Sequence, residues 1–303
     1  MNSANTNGAK TNSANTNGAN TNGAMVEIEG HTLTLTNLDK ALYPGGFTKG
    51  QVIDYYVRIA SVLLPHLSGR NLTMVRYPNG VDKASFFAKN IPSHAPEWVP
   101  RIALKDNTYI VCSDVATLVF MANLAGLELH VPLHRIADGV TVPDRIVFDL
   151  DPGPGAAIAE CCEVALHIKA LLAPLGMRMI AKTSGSKGLQ LYAVPAAPIA
   201  YEGPDGSTAL AKRVAEGLEV ALPALVVSKQ TKELRSGKVL IDWSQNVRAK
   251  TTVCVYSLRA RQEPTVSTPV TWDEVEAAAG TGVLRFTYDQ ALERVGRLGD
   301  LFA

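Results

Sequence analysis

The stretch Arg145-Ile146-Val147-Phe148-Asp149-Leu150-Asp151 decides how this chain is read. Its apolar run reads as a strand that ends in Asp-x-Asp. A second stretch, Lys238-Val239-Leu240-Ile241-Asp242-Trp243, closes an apolar run on a third aspartate. Residues i and i+2 of a strand face the same side, so Asp149 and Asp151 project together. Hard divalent cations need several carboxylate oxygens at one point, and phosphate oxygens complete the shell. A strand-end Asp-x-Asp plus one distant Asp is therefore a platform for two-metal phosphoryl transfer. The competing reading is that Asp151-Pro152-Gly153 merely opens a turn.

The next segment is Thr183-Ser184-Gly185-Ser186-Lys187-Gly188-Leu189-Gln190-Leu191-Tyr192, which lies between two expected strands. Glycines and small residues let backbone N–H groups approach an anion, and Lys187 adds a cation, which suits a triphosphate tail. The spacing is not that of a Walker A loop. An ordinary turn with an exposed lysine is the alternative. Leu234-Arg235-Ser236-Gly237-Lys238 runs straight into the strand carrying Asp242. Arg235 and Lys238 can thus neutralise triphosphate charge beside the acids. His130 alternates with apolar residues in Leu127-Glu128-Leu129-His130-Val131, where a satisfied core histidine is the commoner outcome.

Elsewhere the chain mixes helix-period and strand-period segments without regular alternation, which favours an α+β fold. Apolar residues at helical spacing (Val52, Tyr55, Tyr56, Ile59, Leu63) predict a helix over 48–67 with Thr48 as N-cap. Further helices are expected at 114–128, 156–175, 207–222, 271–279 and 287–297. Strands are expected at 72–77, 84–88, 145–150, 178–183, 188–194, 238–243 and 250–256, after a hairpin over 26–36. Residues 1–24 repeat Asn-Ser-Ala-Asn-Thr-Asn-Gly-Ala, carry almost no apolar surface, and are expected to be a disordered tail before a catalytic domain at 25–303.

Of the 303 residues, 47% are hydrophobic and 19% charged, the balance of an ordinary soluble globular chain. No apolar run is long enough for a membrane span. Cys112, Cys161, Cys162 and Cys254 lack zinc-ligand spacing, which together with the absence of a signal peptide points to a reducing cytoplasm. A net charge of +1 does not advertise a nucleic-acid binder, although lysines and arginines concentrate at 40–89 and 229–261.

Taken together, Asp149-Leu150-Asp151-Pro152-Gly153, Ser184-Gly185-Ser186-Lys187-Gly188 and Asp242-Trp243-Ser244-Gln245-Asn246 resemble, in order and spacing, the polymerase domain of bacterial DNA ligase D, of the archaeo-eukaryotic primase superfamily. The likeness extends through Asn37-Leu38-Asp39-Lys40-Ala41-Leu42-Tyr43-Pro44, Arg76-Tyr77-Pro78-Asn79-Gly80-Val81, Phe86-Phe87-Ala88-Lys89 and Tyr256-Ser257-Leu258-Arg259. No ligase or nuclease segment is seen, so a stand-alone member is expected.

The resemblance implies a primase-type catalytic core of mixed and antiparallel sheets flanked by helices, with two lobes sharing one cleft. Asp149, Asp151 and Asp242 would bind two ions, Mn2+ or Mg2+. Ser184, Ser186, Lys187, Gln190, Arg235 and Lys238 would hold the nucleotide, with His130 near the sugar. Lys40 and Lys49 would bind a downstream 5′-phosphate, Arg76 would contact DNA nearby, and Phe86 and Phe87 would stack on template bases. On a strand, one of those two rings should face inward. Two positions depart from the family pattern. Gln190 stands where relatives usually have His, and Val75 where they often have a basic residue.

The implied activity is template-directed filling of short gaps or processing of broken ends, with a preference for ribonucleotides. The expected partners are gapped or broken DNA bearing a 5′-phosphate, NTP or dNTP, and by family habit Ku and a separate DNA ligase, with the chain itself a monomer. De novo priming and a non-catalytic end-binding module are the alternatives.

Overall fold

The computed structural model describes residues 23–137, 140–197 and 199–303. The amino-terminal half contains β1 (Gly23–Ile28), β2 (His31–Thr36), α1 (Lys49–Leu67), β3 (Thr73–Arg76), β4 (Phe86–Ala88), β5 (Arg101–Leu104), β6 (Asn107–Ile110), α2 (Val115–Asn123), β7 (Gly126–Val131), β8 (His134–Ala137) and β9 (Val140–Pro143). There follow β10 (Ile146–Pro152), α3 (Ile158–Leu172), β11 (Arg178–Thr183), β12 (Leu189–Val194), α4 (Ser207–Ala221), β13 (Val226–Val227), β14 (Val239–Asp242), β15 (Thr252–Val253), β16 (Leu258–Ala260), β17 (Pro264–Val266), β18 (Pro269–Val270), α5 (Trp272–Thr281) and α6 (Tyr288–Leu298).

Two sheets dominate, with six strands in the order β13-β14-β10-β12-β11-β18 and four in the order β15-β7-β3-β4. Every pairing in both is antiparallel except β13 with β14. This is the expected α+β class.

The six-stranded sheet alternates cleanly, because successive side chains of a strand face opposite sides. Ile146, Phe148 and Leu150 of β10, Leu189 and Leu191 of β12, and Val239 and Ile241 of β14 join α3, α4 and α5 in one apolar core. Val147, Ile180 and Tyr192 face the other way and help to build a second core around α1 and α2. The same face also carries the polar side chains Asp149, Asp151, Lys182, Gln190 and Asp242, of which Lys182, Gln190 and Asp242 are buried. Burying a side chain such as Phe148 contributes roughly 1.5–3 kcal/mol, and this is what fixes the register of the polar face.

Helix α1 opens with the expected Thr48 cap: Gln51 N donates to Thr48 Oγ1 and Thr48 N donates to Gln51 Oε1. Its buried tyrosines reach across the molecule, with Tyr55 OH donating to Tyr256 O and Tyr56 OH to Leu127 O. His66 bonds Asp300 at 2.7 Å, and Tyr256 OH donates to the other oxygen of the same carboxylate. The carboxy-terminal residues are thereby latched to the first helix.

Several boundaries differ from expectation. Residues 1–22, most of the expected tail, lie outside the described residues, and Gly23 and Ala24 belong to β1 rather than to the tail. Helix α2 stops at Asn123, and Ala125, with φ of 58°, turns the chain into β7, so its apolar run continues as a strand. Helix α4 begins at Ser207 as expected, with Gly206 as its N-cap, and ends at Ala221. Only Thr252–Val253 of the stretch 250–256 pairs as a strand. Among the described residues, no helix is long and apolar enough to cross a membrane, and all four cysteines are buried free thiols.

Gly188 enters β12 in contact with β10: a Cβ there would lie 2.1 Å from Leu150 O. Gly188→Ala must push the two central strands apart. It is expected to destabilise the fold by about 1–3 kcal/mol, read as a lower urea midpoint at unchanged m-value.

Candidate active site

The acids come together through sheet register. Asp149 on β10 lies directly opposite Gln190 on β12 and opposite Asp242 on β14, and Gln190 lies opposite Lys182 on β11. One cross-strand row therefore reads Asp242, Asp149, Gln190, Lys182, with Asp151 two residues along β10. The row borders a cleft of about 370 Å³ lined by His130, Asp149, Asp151, Ser184, Ser186, Lys187, Gln190 and Arg235. These eight were expected from sequence; Pro152, Gln245, Thr251, Thr252, Val253, Arg259 and Arg261, which were not, complete the lining. Asp242 and Lys238 do not line this cleft. Asp242 opens instead toward an adjoining depression with Ser228, Gln230 and Trp243.

Electrostatics make the acidic cluster uncomfortable when metal-free. Desolvation, then the Asp151 charge, pushes the Asp149 carboxyl well above the usual carboxylate range, against a hydrogen bond from Gln190. Desolvation and then Asp242 raise Asp151, with Arg235 and Arg259 opposing. Desolvated, mutually repelling carboxylates are a donor set suited to divalent cations. Asp242 completes it only by exchanging partners. Its Oδ1 accepts from Gln230 Nε2 (2.9 Å) and Ser244 Oγ (2.6 Å), and its Oδ2 accepts from Gln245 Nε2 (2.9 Å). Consistent with this, no three His, Cys, Asp or Glu side chains among the described residues already converge as a metal cage.

The Ser184–Gly188 loop works differently from its sequence reading. Ser184 Oγ accepts from the N–H groups of Ser186 and Gly188, so these donors turn inward rather than toward an anion. Gly185 (φ 68°) is needed for close packing: a Cβ would meet Arg259 Cγ at 2.7 Å and the Val266 carbonyl carbon at 2.8 Å. The cationic side chains lining the cleft are Lys187, Arg235, Arg259 and Arg261. Arg235 Nη2 is braced on Gln230 O at 2.5 Å.

Residues that sequence reasoning left without a role hold this wall in place. Arg259 Nε donates to Glu128 Oε1 at 3.0 Å and its Nη1 to Ser184 O at 2.5 Å, tying the loop to β7. Glu128 Oε2 accepts from His130 Nε2 at 3.1 Å. Despite desolvation, His130 and Arg259 hold the Glu128 carboxyl down at about 2. Burial lowers the His130 pKa, so the ring stays neutral with its Nε2 proton committed to Glu128. The signal was available: Glu128 and His130 are i and i+2 on an otherwise apolar strand.

The basic residues form a second locus. Lys49 is buried, and its Nζ donates to Thr36 O at 2.6 Å. Burial, then the charges of Lys40 and Arg76, lower its pKa to about 8. Lys40 is exposed and donates to Asn79 Oδ1. Both aromatic rings of β4 are exposed, Phe86 at 47% and Phe87 at 65%. One was expected to turn inward, but β4 is a three-residue edge strand paired only with β3. Phe86 stacks under the Arg76 guanidinium at 5.2 Å, and Phe87 lies edge-on to His130 at 6.0 Å.

Comparison with known proteins agrees with this geometry. Residues 48–302 match the model of the LigD primase-polymerase domain. The chain belongs to the LigD primase-polymerase family. Over 275 residues it is 46% identical to the multifunctional non-homologous end joining protein LigD of Mycolicibacterium smegmatis, covering 89% of this chain and 35% of that one. It is 34% identical over 268 residues to the bifunctional LigD of Bacillus subtilis, covering 88% and 43%. The chain thus spans about a third of the length of the mycobacterial relative. The polymerase domain of Mycobacterium tuberculosis ligase D, solved in complex with DNA, superposes with a TM-score of 0.82 at 45% identity, covering 89% of this chain and 96% of that domain. LigD primase-polymerase domains are DNA-dependent, metal-dependent nucleotidyltransferases. Such a metal, when bound, supplies positive charge for the triphosphate and for the developing transition state. In this chain Asp149 and Asp151 are the carboxylates that could hold it, with Asp242 beside them on β14 but hydrogen-bonded to Gln230, Ser244 and Gln245.

The raised acids give a pH signature. A carboxyl raised in the folded state stabilises the metal-free fold below the ordinary carboxylate range and loses that contribution as pH climbs through its folded value. Metal-free protein should therefore lose melting temperature toward neutrality. Asp149→Asn should recover a few degrees there, and divalent metal should raise the wild-type melting temperature more at about pH 8 than at about pH 5. Thermal melts across pH, with and without metal, measure all three.

Proposed function

We propose that this protein is a template-directed nucleotidyltransferase that fills short gaps or processes broken DNA ends, preferring ribonucleotides and a downstream 5′-phosphate. The observation that carries the reading is the sheet register placing Asp149 between Asp242 and Gln190, at the edge of a cleft that also holds Ser184, Ser186, Lys187 and Arg235. The relatives' names place LigD in non-homologous end joining, and the solved relative is a DNA complex.

In this reading Asp149, Asp151 and Asp242 hold two divalent ions, manganese or magnesium. Lys187 and Arg235 take the triphosphate charge, and Lys238, behind them, adds to the positive field at the start of β14. Ser184 and Ser186 shape the loop. Neutral His130 presents its free Nδ1 lone pair, since Nε2–H is held by Glu128, which suits a sugar hydroxyl donor. Lys40, Lys49 and Arg76 form the 5′-phosphate and DNA contact, and Phe86 and Phe87 offer two faces for template bases. Ku, a separate ligase and a nucleoid location in the cytoplasm complete the proposal on the family's pattern.

Primer extension on a short-gapped DNA with a downstream 5′-phosphate tests it. Templated addition should occur with wild type and disappear, by at least about 100-fold, in Asp149→Ala and Asp242→Ala while DNA binding persists. Addition retained by either variant overturns the metal assignment, initiation without a primer points to a primase, and binding with no addition by wild type points to an end-binding module.

The low pKa of Lys49 adds a further expectation. Below about pH 8 its ammonium is charged and binds phosphate, and above it the charge is lost. The affinity ratio of 5′-phosphate over 5′-hydroxyl ends should fall as pH rises from about 7 to about 9, and should be flat in Lys49→Met, as read by fluorescence anisotropy at fixed salt.

A further inference from the structure

Lys182 is fully buried on β11, and no acidic side chain pairs with it among the described residues. A buried ammonium needs compensation, and here it comes from neutral groups. Its Nζ donates to Gln190 Oε1 at 2.5 Å and to Ser267 Oγ at 2.6 Å, and lies 5.6 Å from the Tyr192 ring centroid. Ser267 Oγ passes its own proton to Thr183 O at 2.9 Å, which leaves its lone pairs for the lysine. On the far side of Gln190, Nε2 donates to Asp149 Oδ1 at 3.1 Å.

The Gln190 carboxamide is oriented by its neighbours: its oxygen accepts from Lys182 Nζ and, at 3.4 Å, from Tyr192 OH, and its amino group donates to Asp149. An ammonium on one side and a carboxylate on the other favour this orientation, since the one offers protons and the other lone pairs. Without the lysine, the carboxamide oxygen loses its short partner and keeps only the long contact from Tyr192. Gln190, expected from sequence to touch the nucleotide, thus has one of its two N–H bonds committed to an acid.

We propose that Lys182 is a positioning residue of the metal site: acting through Gln190, it holds the Asp149 carboxylate in place. This inference rests on the two-ion reading above. It concerns how tightly the apoprotein takes up metal rather than the transfer step.

Mn2+ binding to DNA-free, nucleotide-free protein, measured by calorimetry, tests it. Lys182→Met should weaken Mn2+ binding about tenfold, the scale of one hydrogen bond to a charged group, with the affinity for 5′-phosphorylated DNA unchanged. Gln190→Met should show a similar loss. Because Lys182 acts through Gln190, the double variant should bind Mn2+ no more weakly than Gln190→Met alone. Additive losses, or equal losses of Mn2+ and DNA affinity in Lys182→Met, overturn the proposal. So does wild-type Mn2+ affinity in either single variant, and Gln190→Met carries the test by itself should Lys182→Met not fold. Loss of Mn2+ binding in Asp149→Ala but not in Lys182→Met overturns the role of the lysine and leaves the two-ion reading intact. Undiminished binding in Asp149→Ala overturns both.

Discussion

Everything at the cleft depends on one constraint: like charges are held together on one face of a sheet. Asp149 and Asp242 are direct cross-strand partners, and Asp151 lies two residues from Asp149. Water would normally screen such a cluster, but here the floor is desolvated and the repulsion shows as raised carboxyl pKa values. The strands cannot slip to relieve it, since Phe148, Leu150, Leu189 and Ile241 are buried on the opposite face, and a one-residue shift would expose them. Apolar packing behind the sheet thus maintains an arrangement that electrostatics alone would disperse. The adjoining side chains, Gln190 toward Asp149 and Gln230, Ser244 and Gln245 toward Asp242, donate hydrogen bonds to the carboxylates.

The walls of the cleft follow a similar logic with opposite sign. Arg259 joins β16 to both Glu128 and the Ser184 carbonyl, which ties the Ser184–Gly188 loop to the four-stranded sheet. Glu128 sits among charged and dipolar partners and remains ionised. His130 beside it remains neutral, and a single acid thereby orients two residues facing the cleft.

Much of this was legible in the chain. Asp-x-Asp at a strand end and a third Asp after an apolar run lie on neighbouring paired strands, and the glycine-bearing loop lies between two strands, as the local patterns implied. Thr48 capped α1 because the capping box is a local device. What was not legible depended on long-range packing. Lys182 looks like an ordinary solvent lysine until β11 is known to lie inside a six-stranded sheet. The glycines of the Ser184–Gly188 loop suggested open backbone donors, whereas Gly185 and Gly188 instead avoid collisions with Val266 and Leu150. The apolar run continuing after α2 carried no sign that a left-handed Ala125 would convert helix into strand. Phe86 and Phe87 could not be assigned a face without knowing that β4 is an edge.

The latch between the chain's two ends has a consequence for how the molecule is made. Tyr55 of α1 finds its hydroxyl acceptor 201 residues downstream, and His66 finds its carboxylate 234 residues downstream. Contacts this distant in sequence slow folding, because loop closure precedes the stabilisation that rewards it. Helix α1 is synthesised well before Asp300, and it cannot complete its polar contacts until Asp300 has been made. The apolar face that α1 presents meanwhile is the surface for which a nascent chain of this topology would need shelter.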